Sequence, residues 1–205
     1  MLILIFFVVG LFALVFSVFI QTNSNTAWFS FGGANASTTA ERSIVTGVGG
    51  SFEKPDQPVR LIIPSIGVDA NIQKVGLAWQ GNGQMGIPTN FTDVAWYKDG
   101  TLPGMPGSAV IDGHLDGKDV AEAVFYDLDK LQKGDIVEVV DASGRKLKFI
   151  VVETKSYDRN ADTTEIFSGD ASSSRLNLIT CSGDWIANEK SYNDRIVVFT
   201  ELVTN

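Results

Sequence analysis

Between residues 59 and 203 the chain is broken into short apolar runs, at 59–63, 70–75, 108–112, 136–140, 146–152, 176–180 and 196–203. The runs are rich in Val, Ile, Leu and Phe, and Gly, Asp, Asn or Pro bounds most of them. That is the pattern of β-strands punctuated by turns. Gly81-Asn82-Gly83 and Ser143-Gly144 read as hairpin turns. Helical signals are few: a turn or two over residues 91–97 and a short helix over 121–131. No helix alternates regularly with strands, which disfavours a doubly wound parallel sheet. The pattern therefore predicts a mostly β fold, a barrel or a sandwich, over residues 59–205.

The first twenty residues are different. Residues 1–20 are interrupted only by Gly10 and Ser17, and no charge occurs before Glu41. A helix of that length spans a hydrocarbon core of about 30 Å, whereas the apolar core of a cleaved signal is usually about 7–15 residues. The run is therefore expected to be a retained transmembrane helix. Residues 21–58 are rich in Ser, Thr, Asn, Gly and Ala and read as a flexible spacer. Trp28, Phe29 and Phe31, just beyond the run, are expected at the membrane surface.

Composition removes several function classes. With 24 acidic against 16 basic residues the formal net charge is −8, and no basic run offers a footprint for nucleic acid. There is one cysteine, Cys181, and one histidine, His114, so neither an internal disulfide nor a Cys/His zinc cluster can form. No G-x-S-x-G, phosphate-binding loop or calcium-loop spacing occurs. If the chemistry uses a thiol and an imidazole, each has one candidate.

Cys181 follows the apolar run 176–180 and precedes Ser182-Gly183, which reads as a strand end opening into a turn. This suits a nucleophile with a fixed backbone and an accessible sulfur; taken alone, it equally suits a buried structural thiol. His114 lies just past the run 108–112. It reads either as a proton carrier or as an ordinary loop histidine. Arg195 opens the last run and reads as an oxyanion-binding cation or as a surface charge.

Taken together these residues resemble the sortases, membrane-anchored cysteine transpeptidases of the bacterial surface. The resemblance is carried by Ser108-Ala109-Val110-Ile111-Asp112-Gly113-His114, by residues 125–135, by Leu178-Ile179-Thr180-Cys181 and by Asp194-Arg195-Ile196-Val197-Val198-Phe199. It covers about residues 59–203, with the anchor and spacer in the expected place. The Gly183-Asp184-Trp185 that follows Cys181-Ser182 resembles class F enzymes most, or their class D and E relatives. The family implies a closed, mostly antiparallel eight-stranded barrel with short helices. It also implies an N-terminus inside the cell and a catalytic domain outside it.

The resemblance further implies that Cys181 attacks a sorting signal similar to Leu-Pro-x-Thr-Gly between Thr and Gly. His114 would move the proton, and Arg195 and the Ser182 N–H would face the oxyanion. Thr180 would shape the site. Ile166 and Phe167, in the connection 158–174, would cover the Leu-Pro end of the signal. Asp112 or Asp116 would orient His114, and Trp185 is either a lid or a core aromatic. The implied partners are surface proteins carrying the signal and an amine acceptor, a wall precursor or a pilin lysine. No cofactor is expected. Some sortases hold calcium through carboxylates just before the His, but residues 100–111 contain none. A surface cysteine protease and a non-catalytic wall-binding β-domain remain the alternatives.

Overall fold

The computed structural model of the chain describes residues 54–79, 83–170 and 172–204. The apolar run 1–20, the aromatic cluster at 28–31, most of the spacer 21–58 and most of the Gly81-Asn82-Gly83 turn lie outside the described residues. Within them, no helix is long and apolar enough to cross a membrane.

Eight strands close into a barrel. They are β1 (Pro58–Ile63), β2 (Val68–Val75), β3 (Val94–Tyr97), β4 (Gly107–Asp112), β5 (Ile136–Asp141), β6 (Lys146–Asp158), β7 (Ser174–Ile186) and β8 (Ser191–Leu202). Their order around the barrel is β1-β2-β3-β4-β7-β8-β6-β5. The β2–β3 and β4–β7 pairs are parallel and the other neighbours are antiparallel. The β1–β2 corner is tight: Pro64 starts a single 3-10 turn, and Gly67 closes it at φ 67°, a conformation that favours glycine.

Strand alternation separates two apolar layers. Leu176 and Leu178 of β7, Ala109 and Ile111 of β4 and Val198 of β8 point into the barrel, with Leu61, Phe125 and Phe149. The residues between them face outward. Val110, Val197 and Phe199 form a second cluster on the outer face, with Ile166 from the one-turn helix α1 (Thr164–Phe167).

Four expected elements differ. Residues 91–97 do not form a helical turn; β3 forms there instead. The Asn90 side chain accepts the N–H groups of Thr92 and Asp93, making a local turn. That turn releases Val94 and Trp96 into the barrel core, and Ala95 onto the outer face, as a strand. The expected helix over 121–131 is reduced to a 3-10 turn at Leu128–Lys130. Its donors go elsewhere: Ala123 N–H to Leu115, Val124 N–H to Phe91 and Phe125 N–H to His114, each to a backbone carbonyl. Strands β6 and β7 each run 13 residues, well past the apolar runs that signalled them. The four residues before β1 are tied to the barrel, with Asp56 N–H and the Arg145 side chain bonding Asp141 and the Lys54 carbonyl respectively.

Candidate active site

The spacing of His114 and Cys181 is the register of one strand pair. Along the parallel β4–β7 ladder every partner is offset by the same number of residues, from Gly107 with Ser174 to Asp112 with Ile179. The ladder continues one step as the Gly113 N–H bonds the Ile179 carbonyl. Thr180 Oγ1 donates back to the Gly113 carbonyl at 2.8 Å, across 67 residues of sequence. His114, the next residue, thus emerges from β4 beside Cys181. On the other side of β7, Cys181 is the direct cross-strand partner of Arg195. These two ladders set Arg195 opposite Cys181 and bring the backbone of His114 into register with it.

Cys181 does not end its strand. β7 continues to Ile186 and β8 begins at Ser191, so the two form a long hairpin with a bulge between Ser182 and Trp185. Arg195 is accordingly well inside β8 and does not open it. The segment Ser182-Gly183-Asp184 has no apolar alternation, so the pattern that marks a half-buried strand is missing although the backbone pairs. Trp185 is 55% exposed, so it is no core residue; it lies edge-on to Tyr192 across the hairpin, with ring centroids 5.3 Å apart.

The Cys181 thiol is half-buried beside a cavity of about 340 Å³, whose lining includes Thr180, Ser182, Leu115 and Tyr126. Ile166 and Phe167 do not line that cavity. They sit on the same outer sheet face in the second apolar cluster, with Phe167 edge-on to Tyr97 at 5.8 Å. α1 is held there by the buried Asn177, whose amide donates to the Ile166 carbonyl at 2.7 Å.

Neither Asp112 nor Asp116 orients His114. The imidazole Nε2 lies 2.9 Å from the Pro88 carbonyl, and the ring packs against Phe91 with centroids 5.1 Å apart. A carbonyl only accepts, so Nε2 must carry the proton, and in the neutral ring Nδ1 holds the free lone pair. The β2–β3 connection that supplies Pro88 and Phe91 was not a candidate in the sequence, because a backbone carbonyl has no residue signature. Asp116 instead accepts a short hydrogen bond from the Tyr192 hydroxyl. That bond, with burial, pushes the Tyr192 phenol up to about 12 and joins the loop after His114 to the β7–β8 hairpin.

The Arg195 guanidinium is held by its own hairpin. Nη1 donates to the Asp194 carbonyl at 2.7 Å and the Tyr192 carbonyl at 3.1 Å, and Nη2 to Ser191 Oγ at 3.2 Å. Burial pushes the Cys181 thiol up; Arg195 pulls it back, while Asp112 and Asp116 push it further up. The site therefore holds a neutral thiol at neutral pH, with a cation placed to favour its anion.

Thr180 is fixed by one contact that can be removed cleanly. Thr180→Val keeps the shape and deletes the donor to the buried Gly113 carbonyl. It is expected to cost about 1–3 kcal/mol, read as a lower denaturant midpoint at unchanged slope. An unchanged midpoint would show that the bond contributes nothing.

Comparison with known proteins adds independent findings. A family model described as Sortase domain matches residues 61–203. No curated protein matches the sequence. Among solved structures, the fold is similar to sortase C-1 from Actinomyces oris, with 23% identity, a TM-score of 0.55 and coverage of 73% of this chain and 76% of that one. It is also similar to a lid mutant of sortase A from Corynebacterium diphtheriae, with 18% identity, a TM-score of 0.57 and coverage of 76% and 75%. A third is the sortase D5 transpeptidase from Clostridium perfringens, with 20% identity, a TM-score of 0.54 and coverage of 74% and 82%. At these identities the likeness carries the fold, and the scores do not separate the classes.

Proposed function

The chain belongs to the sortase family, whose members are cysteine transpeptidases, and from that premise we propose that it cleaves a surface-protein sorting signal and joins it to an amine. The observation that carries the proposal is the placement of Cys181 directly opposite Arg195, beside the end of the strand that delivers His114.

In this reading Cys181 attacks the carbonyl carbon of Thr in a signal resembling Leu-Pro-x-Thr-Gly. His114 takes the thiol proton as the sulfur–carbon bond forms, the Thr–Gly amide bond breaks, and His114 passes that proton to the departing Gly amine. The product is a thioester on Cys181 and a free amine. An incoming amine, from a wall precursor or a pilin lysine, then attacks the thioester. A new amide forms, His114 takes the surplus proton, and the thiol is restored. Arg195 and the backbone N–H of Ser182 stabilise the negative oxygen of both tetrahedral states; guanidinium suits this because it is always charged and presents several donors in one plane. Thr180 keeps β7 in register with the residue before His114. Ile166 and Phe167 place apolar surface on the sheet face that carries Cys181, where the Leu-Pro end of the signal would rest. Residues 1–20 would anchor the chain in the cell membrane, with the barrel outside.

The test is intact mass spectrometry of the protein with a Leu-Pro-x-Thr-Gly peptide, with and without a glycine-type amine. The expected result is a thioacyl adduct, absent in Cys181→Ala, that the amine clears to a ligated peptide. Cleavage to free acid even with the amine present would mean a protease. Neither adduct nor cleavage across a library of signals would refute the catalytic reading.

A further inference from the structure

Asp112 lies two residues before His114 on β4 and is the β4 partner of Ile179, which is two residues before Cys181 on β7. Alternation puts Asp112, Ile179 and Cys181 on one face of the sheet, and cross-strand pairing puts Val197 and Arg195 of β8 on that face too. Its neighbours there are apolar: Val110 precedes it on β4, and Ile179 and Val197 flank it in the second cluster. On its other side, β3 presents Ala95. The carboxylate is half-buried and accepts no hydrogen bond from any described residue. An unpaired carboxylate on an apolar strip weakens the fold, and such local violations concentrate at working sites.

The groups that face it are few. Arg195 acts on the Asp112 carboxylate through its charge and without an ion pair, and Asp112 in turn acts through its charge on the Cys181 thiol. His114 and Asp116 follow on the same chain, but the first is bonded to Pro88 and the second to Tyr192. On β6, Tyr157 is opposite Arg195, and with Lys155 it is engaged by Glu165.

We propose that Asp112 is a positioning residue for the Cys181–Arg195 pair: its ionised carboxylate competes with the thiolate for the guanidinium, so the nucleophile and Asp112 resist being negative together. The proposal rests on the catalytic reading of Cys181 but concerns the charge balance of the thiol itself. Burial raises the Asp112 carboxyl to about 7, against the opposing pull of Arg195. It therefore changes charge in the range where the enzyme would work. Below about pH 7 it is neutral and leaves Arg195 to favour the thiolate. Above that it is an anion, and Cys181 becomes harder to ionise. Two coupled sites of this kind titrate as a pair.

The test needs no sorting signal, so it is independent of whether the chain transfers peptides. Alkylation of Cys181 by iodoacetamide is followed in the full chain from pH 5 to pH 10, with the adduct read by mass. Asp112→Asn keeps shape and removes charge. At pH 8–9 it is expected to alkylate about three- to tenfold faster than the parent, since one unit in thiol pKa changes the thiolate fraction tenfold. At pH 5.5, where the parent carboxyl is already protonated, the two rates should coincide. Asp112→Glu should retain the parent profile, and Asp112→Ser replaces Asp112→Asn if the amide does not fold. Superimposable profiles of parent and charge-free variant, or a slower variant above pH 8, would overturn the proposal. A purely structural role would shift stability without a pH-dependent divergence. If alkylation behaves as expected while the peptide assay is silent, the charge coupling stands and the transpeptidase reading fails.

Discussion

Replacing Arg195 with alanine is expected to lower kcat/KM for thioacyl formation about 10²–10³-fold, the scale of removing one preorganised donor to an oxyanion. Two effects contribute. The guanidinium opposes the burial that raises the Cys181 thiol, so its loss leaves less thiolate. In the proposed mechanism its remaining N–H groups also hold the negative oxygen of the tetrahedral states. Arg195→Lys separates the two. Lysine keeps the charge, so the alkylation profile of Cys181 should stay near that of the parent. It loses the planar fork that reaches the Asp194 and Tyr192 carbonyls and Ser191 at once, so turnover should still fall steeply. A lysine variant with full turnover would show that charge alone suffices. An alanine variant within threefold or so of the parent would remove Arg195 from the mechanism.

Phe125→Ala is expected to cost about 3–5 kcal/mol of stability, as for other large-to-small changes at fully buried aromatic positions. Phe125 is fully buried inside the barrel and is packed against Gly113 so closely that a Cβ on Gly113 would come within 2.5 Å of the ring. Its backbone N–H also bonds the His114 carbonyl. The side chain thus fills the core directly beneath the turn that aims His114. Urea unfolding should show a large fall in midpoint, and residual native protein should show reduced turnover because the floor under His114 is gone. Gly113→Ala attacks the same contact from the other side and should fail in the same way. A loss below about 1 kcal/mol would mean that the barrel closes over the gap.

The barrel was legible because most strands are short runs rich in Val, Ile, Leu and Phe between turn residues. β4, β5 and the first half of β7 send Ala109 and Ile111, Val137 and Val139, and Leu176 and Leu178 into the core, and their apolar composition signals a strand without context. β3 was not legible. Residues 91–97 read as a helical turn or two, and pairing with β2 on one side and β4 on the other makes the last four of them a strand. The region 121–131 failed for a related reason: its donors find carbonyls in distant loops, which no local propensity encodes. At the site, Cys181 and His114 were visible because each is the only thiol or imidazole in the chain, whereas Arg195, one of several arginines, stood out only through the resemblance of its strand. The spacings of 67 residues and of 14 (195 − 181) carried the strand register without announcing it. The partners of these residues were hidden. Pro88 acts through its backbone, Tyr192 through a hydroxyl at the far end of a polar ribbon, and Asp112 through a face that only alternation reveals.

The parallel β4–β7 pairing also sets an order of events. The strand that carries His114 can find its partner only after the whole of β5, β6 and α1 has been made and laid aside, and Arg195 comes later still. Non-local parallel pairings are the slow steps in folding, because the closure entropy of the intervening chain must be met before any contact forms. Cys181 therefore lacks its imidazole until the β4–β7 ladder zips, whereas the local β7–β8 hairpin supplies Arg195 without that wait. A chain caught partway during synthesis carries a solitary thiol and no assembled site. Competence arrives together with closure of the barrel.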